Sequence, residues 1–170
     1  MKLSKRGEYG LKAMIDLASQ DEPTGVLQIK DIAERQQIPV KFLEQILLSL
    51  RNAGLLHSRA GVGGGYHLAK SPADITLGQI VRVLDGPLAP IRCVSHMAYE
   101  RCMCPDEETC GLRLAMLDVR NAIADILDRT TLADVATRVE DAQRRERTAL
   151  ASKRRAARRA PVAVRPKRAM

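Results

Sequence analysis

The chain has 170 residues, 45% of them hydrophobic and only 2% aromatic, so its core must be built from Leu, Ile, Val, Ala and Met, which favours a helical domain with an extension. No run of about 18 uncharged apolar residues occurs, and the start of the chain has no signal-peptide core, which argues against a membrane span and predicts a cytoplasmic protein. The formal charge of +8 is unevenly divided, with +3 in residues 1–70, −5 in 71–143 and +10 in 144–170, a sign asymmetry that suits a polyanionic partner met by part of the surface.

In chain order, Glu8 to Ser19 reads as a helix with Leu11, Met14, Ile15 and Ala18 on one face. Asp21-Glu22-Pro23-Thr24-Gly25 is a turn, and Val26-Leu27 can add a short strand. Ile29, Ile32 and Ala33 begin a second helix, which ends before Pro39 because proline pushes its predecessor out of the helical region. Leu43, Ile46, Leu47 and Leu50 then recur as one buried face of a third helix, with Lys41, Glu44, Gln45 and Asn52 opposite. Gly54 supplies a left-handed cap. Leu55 to Arg59 and Gly65 to Ala69 come next as paired strands around Gly61-Val62-Gly63-Gly64. Such a tip makes poor core, yet it lets backbone approach a groove or a phosphate closely. Residues 1–70 therefore predict a winged helix-turn-helix.

Ser71 and Pro72 open a connecting helix that runs to Leu84, and Gly86-Pro87 ends it, so residues 71–87 link the head to the rest of the chain. Residues 88–110 form a loop that holds Cys93, Cys102, Cys104 and Cys110. From Gly111 to Arg129 a long helix places Leu112, Met116, Val119, Ile123 and Ile126 at steps of four and three. That is the 3.5-residue repeat of a helix pairing along a straight seam, although burial within the chain would give a similar pattern. A return helix ends at Gln143. The remaining 144–170, with eleven basic residues, one acid and two prolines, reads as a disordered tail, either merely solvated or able to hold phosphates without reading sequence.

The cysteine spacing lacks paired Cys-x2-Cys knuckles, and a Cys-x-Cys pair seldom offers both sulfurs to one tetrahedral ion. Wider gaps suit an iron–sulfur cage better, while free or redox-active thiols would leave the same spacing.

Several motifs in order carry a family resemblance: Ile38-Pro39-x-x-Phe42-Leu43-Glu44-Gln45-Ile46-Leu47, Gly63-Gly64-Gly65-Tyr66-x-Leu68-Ala69, Ile75-Thr76-Leu77-Gly78-x-Ile80-Val81, Cys104-Pro105-x4-Cys110-Gly111-Leu112 and Thr131-Leu132-Ala133-Asp134-Val135. From Met1 to about Gln143 the chain resembles the Rrf2 family of winged-helix regulators, of the IscR, NsrR and RirA type. The resemblance implies a homodimeric transcription regulator, typically a repressor, on double-stranded promoter DNA. Its cysteine-bearing branch implies an iron–sulfur cluster, [2Fe-2S] in preference to [4Fe-4S], sensing iron, redox state or nitric oxide.

Carried onto this chain, the family's cysteines fall on Cys93, Cys104 and Cys110, with Cys102 as an extra candidate. Arg113 stands where some members have a ligating histidine, so Glu8 and His96 are the candidates for a further ligand. Lys41, Glu44 and Gln45 fall at the DNA-reading positions, Glu to accept from cytosine and Gln to pair with adenine. Arg59, Gly63 and Gly64 fall in the wing, and Tyr66 reads as a packing residue. A cluster-free thiol sensor is the rival within the class, and an iron–sulfur electron carrier or cluster-delivery protein is the rival outside it. An enzyme is not expected, since no Ser/His/Asp, paired-acid or phosphate-loop constellation occurs and the three histidines are scattered in sequence.

Overall fold

The computed structural model describes residues 2–20 and 25–159, the last six as helix backbone alone. In order, the elements are α1 (Lys5–Ala18), α2 (Ile29–Gln36), α3 (Val40–Asn52), β1 (Leu56–Arg59), β2 (Gly65–Leu68), α4 (Leu77–Asp85), α5 (Gly111–Arg129) and α6 (Leu132–Arg159). Single 3-10 turns stand at Pro72–Asp74 and Arg92–Val94. The fold is mainly helical with one two-stranded antiparallel sheet, the class that the sequence predicts. No helix among the described residues is long and apolar enough to cross a membrane. The chain divides into two units, Met1–Ala136 and Thr137–Met170.

Local chemistry sets the boundaries. Ser4 caps α1 by accepting from the Gly7 N–H at 3.0 Å. Helix α2 ends on Gln37 in the left-handed region, φ 52°, and Pro39 then starts α3. Leu43, Ile46, Leu47 and Leu50 of α3 are all fully buried. At its far end Gly54 takes φ 72°, the Leu55 N–H reaches back to the Leu50 carbonyl at 3.0 Å, and Leu55 is buried, the usual apolar contact of such a stop. Around them pack Ala13, Met14 and Leu17 of α1, Ile32 of α2, Ile80 of α4, Ile75 and Leu132. Gly10 lets α1 lie close on α4, for a Cβ there would stand 2.1 Å from Leu84 Cδ1.

In the wing, Leu56 pairs with Leu68 and Arg59 with Gly65. Leu27 joins β2 through a bridge to Tyr66, with N–H to O distances of 2.9 and 2.8 Å in the two directions. Gly65 is required at that crossing because a Cβ would sit 2.0 Å from the Leu27 carbonyl oxygen.

Two expectations are corrected. The connecting helix is not continuous from Ser71: Ser71 caps only the turn Pro72–Asp74, the chain is extended at the buried Ile75, and α4 starts afresh from Thr76. Thr76 and Gln79 form a reciprocal capping box, both hydrogen bonds at 3.2 Å, and that local signal restarts the helix. The extended residues are then free to pair with the α5–α6 junction, where Leu77 N–H donates to the Thr130 carbonyl and Leu132 N–H to the Ile75 carbonyl, each at 2.9 Å. The second correction concerns the tail. Helix α6 does not end at Gln143 but runs to Arg159, since the added stretch is dominated by Arg, Ala, Lys and Leu, all strong helix formers, with no glycine or proline. The expected disorder therefore fails for 144–159; residues 160–170 and most of the 21–25 turn lie outside the described residues.

Because α3 is held by side chains with no exposed surface, Leu47→Ala is expected to lose about 2–5 kcal/mol of unfolding free energy. Urea denaturation checks it: the midpoint should fall with the slope unchanged.

Candidate nucleic-acid interface and cysteine site

With its apolar face sealed, α3 presents Lys41, Glu44 and Gln45 to solvent. Helix α1 braces that face: the Tyr9 ring meets Phe42 edge-on at 5.8 Å, Lys5 and Lys12 lie 5.6 and 5.7 Å from the Tyr9 centroid, and the Arg6 guanidinium donates to Ser49. In the wing, Arg59 and Gly63 are exposed, and Gly64 is half-buried where a Cβ would strike the Arg59 carbonyl oxygen at 2.3 Å. Tyr66 packs against the core, in keeping with a structural role. The wing also brings together two histidines that sequence separation left apart. His57 and His67 are cross-strand partners with ring centroids 5.5 Å apart, and His67 Nδ1 is buried without a hydrogen-bond partner.

The second site lies in the loop between α4 and α5. Cys93 is buried at the 3-10 turn, whereas Cys102, Cys104 and Cys110 are half-buried. All four border one cavity of about 340 Å³, along with Ile91, Leu112 and Arg113. Within it, Cys93, Cys102 and Glu107 bring one ligand atom each to within 4.8 Å of one another. Cys104 and Cys110 form a second pair, sulfur to sulfur 3.6 Å. Cys102 and Cys104 also interact directly, so the four sulfurs form one run of contacts from Cys93 through Cys102 and Cys104 to Cys110, and the family resemblance puts forward Cys104 as the middle ligand. Glu107 does not stand out in the sequence, since three acids in a row, Asp106, Glu107 and Glu108, look equivalent. Their surroundings differ: Asp106 accepts from Thr109 Oγ1 at 2.6 Å and from the Glu108 N–H at 2.9 Å, while Glu107 Oε2 accepts from Tyr99 at 2.6 Å and Oε1 is buried without a hydrogen bond, 3.5 Å from Arg113 Nε.

Three of the thiols differ in acidity. Burial, then the neighbouring Cys102, pushes the Cys93 thiol up. The Cys104 N–H, then its thiol, holds Cys102 below the ordinary thiol value. Cys104, between Cys102 and Cys110, is pushed up to about 12. A bound cation would reverse that by favouring thiolate, so loading this pocket with a metal must release protons.

Two candidate ligands are engaged elsewhere within the chain. Glu8 pairs with Lys5 at 2.9 Å and Lys12 at 3.1 Å. His96 lies against the buried Arg120, with ring nitrogens 3.2 and 2.6 Å from the two terminal guanidinium nitrogens. Arg113, also at the rim, faces Glu107. Helix α5 starts at once after Cys110 and carries an apolar face that is open in the single chain: Leu112 and Ile126 are 62% and 64% exposed.

A protein-family profile described as "Rrf2: Iron-dependent Transcriptional regulator" matches residues 3–138. The HTH-type transcriptional regulator CymR of Bacillus subtilis is 38% identical over 143 residues, covering 84% of this chain and 95% of the relative. Among solved structures, CymR (YrzC), described as the global cysteine regulator of B. subtilis, superposes with a TM-score of 0.67 at 37% identity, covering 81% of this chain and 97% of that one. IscR of T. potens gives the same TM-score at 38% identity, with 84% and 91% coverage.

Unequal acidity predicts unequal reactivity, because the thiolate is the nucleophile. In metal-free, reduced protein near neutral pH, limiting iodoacetamide should alkylate Cys102 before Cys104, as mass spectrometry of the peptides will show; equal labelling of the two would refute the assignment.

Proposed function

The chain belongs to the Rrf2 family of transcriptional regulators, and from that premise we propose a cytoplasmic homodimer that grips double-stranded promoter DNA through α3 and the wing and adjusts that grip through its cysteine loop. The observation that carries the reading is the position of the thiols. Cys93 to Cys110 occupy the one covalent connection between α4, which packs into the DNA-reading head, and α5, whose apolar face is open to a second copy. On α3, Glu44 and Gln45 would meet base edges and Lys41 a phosphate or guanine; Arg59, Gly63 and Gly64 would track the backbone from the wing. The exposed Leu112, Leu114, Val119 and Ile126 would form the seam between copies, which suits a two-fold operator.

The donor set fits an iron–sulfur centre: four sulfurs around one cavity, with a Glu107 carboxylate oxygen within 4.8 Å of the Cys93 and Cys102 sulfurs. Cys93, Cys104 and Cys110 would serve as ligands, with Cys102 or Glu107 completing the set. Such a centre supplies a compact, highly charged and redox-responsive tie when bound. The residues do the rest: the low-acidity thiols must shed protons to bind it, and the loop they hold sets the relation of α4 to α5. A second reading is favoured by the 3.6 Å approach of Cys104 and Cys110. There, hydrogen peroxide would take two electrons and two protons from the thiol pair, giving a disulfide and two waters.

Absorbance of anaerobically isolated protein, with iron and acid-labile sulfide counts, separates the two: a visible band lost in Cys93→Ser and Cys110→Ser supports the cluster, and colourless protein whose DNA affinity changes on peroxide treatment supports the disulfide. Mobility shifts should give different affinities for the loaded and apo forms, and equal values would reject the switch. Glu44→Ala and Gln45→Ala should each weaken operator binding by about 1–3 kcal/mol while leaving binding to random duplex unaltered.

A further inference from the structure

Helix α6 changes character part-way along. Up to Gln143 it carries Asp134, Glu140 and Asp141 against a single Arg138; from Arg144 to Arg159 it carries eight Lys or Arg and one acid, Glu146. The family profile stops at residue 138, so this cationic half is an addition to the matched region. It is nonetheless helical, and its charges stand at helical neighbour spacings: Arg144 and Arg147 three apart, Arg154 and Arg158 four apart, Arg155 and Arg159 four apart. Like charges so placed repel and weaken a helix standing alone in water. A dense, regularly spaced counter-charge removes that repulsion.

The composition also says which polyanion. Leu150 is the one large apolar residue among 144–159, and the other nonpolar positions are alanine, so no apolar stripe exists to enter a bilayer. At 1.5 Å per residue the 16 residues span about 24 Å, comparable with roughly seven base pairs of phosphates. We infer that residues 144–159 of α6 form a second, sequence-blind DNA contact that lies along the phosphates and is steadied as a helix by them. The inference rests on the DNA-binding function proposed above, and it adds a separate contact to it. Tethering makes this contact effectively intramolecular once the head has bound, so it multiplies affinity for operator and random sequence alike.

The test compares the full chain with a full-length variant carrying Gln at Arg144, Arg145, Arg147, Lys153, Arg154, Arg155, Arg158 and Arg159, and with one carrying Gln at the first three alone. Glutamine is a good helix former, and thermal unfolding monitors integrity of the head. Fluorescence anisotropy follows binding to a random 30-base-pair duplex and to a duplex enriched by the full chain from a random pool, from 50 to 300 mM KCl. The eight-fold variant should bind both at least tenfold more weakly at the lowest salt, with a log K against log salt slope flatter by about 3–7 per protomer, and the three-fold variant should fall between. Circular dichroism should show helix gained by the full chain, and not by the eight-fold variant, on adding random duplex. Unchanged slopes, a loss confined to the enriched duplex, or a loss seen with phosphatidylserine vesicles and absent with DNA would overturn the inference. If the pool yields no enriched duplex while random duplex is still bound through these residues, the sequence-reading function fails and the arm stands.

Discussion

The rotation of α3 about its own axis is fixed by Leu43, Ile46, Leu47 and Leu50, none of which has exposed surface. Turning the helix by even one position would carry a leucine into water and a charged residue into a close-packed interior. Burial thereby decides what the outer side of α3 carries, with Lys41, Glu44 and Gln45 among the residues left exposed. The Tyr9 and Phe42 rings extend the same logic sideways, joining α1 to the rim of the reading face.

A second constraint ties this head to α5. The Arg82 guanidinium holds the Asp128 carboxylate through two hydrogen bonds of 2.5 and 2.7 Å, and its donors keep that carboxyl below the usual range. Since the folded form is the more acidic, the pair's contribution is complete above the ordinary value near 3.8 and is lost as pH falls through the lower, folded one. Gly78 makes room for the same carboxylate, as a Cβ there would touch Asp128 Oδ1 at 2.0 Å. The cysteine loop therefore spans a gap whose two banks already touch. Among the described residues, that junction is held by the Arg82–Asp128 ion pair and a short extended bridge.

Most of the fold was legible because its signals are local. The i, i+3, i+4, i+7 apolar residues Leu43, Ile46, Leu47 and Leu50 announced α3, Gly54 its end, and the bounds of α5 coincide with Gly111 and Arg129 as read. What escaped depended on competition or on distance. Ser71-Pro72 is a good start signal, but Thr76-x-x-Gln79 is a better one a few residues on, and Ile75 between them is claimed by a partner far along the chain. The Arg-rich end lacked apolar periodicity, yet helix propensity needs none. At the cysteine site, spacing identified the four sulfurs but not their pairing, which depends on which way each side chain turns out of a short Cys-x-Cys stretch. Glu107 differs from Asp106 and Glu108 only through the side chains it meets, and the His57–His67 pair exists only once the register of the hairpin is known.

Ser4 offers both its backbone N–H, at 2.8 Å, and its hydroxyl to the carboxylate of Asp85, the last residue of α4. The front of the first helix is thus stitched to the back of the fourth, next to Gly86, whose φ of 84° begins the departure toward Cys93. On the proposed reading, motion starting among the sulfurs would enter a stiff body both at Gly86 and across the α4–α5 contact, so the promoter-facing side would swing as a whole, like a hand turning at the wrist, with its fingers keeping their mutual spacing.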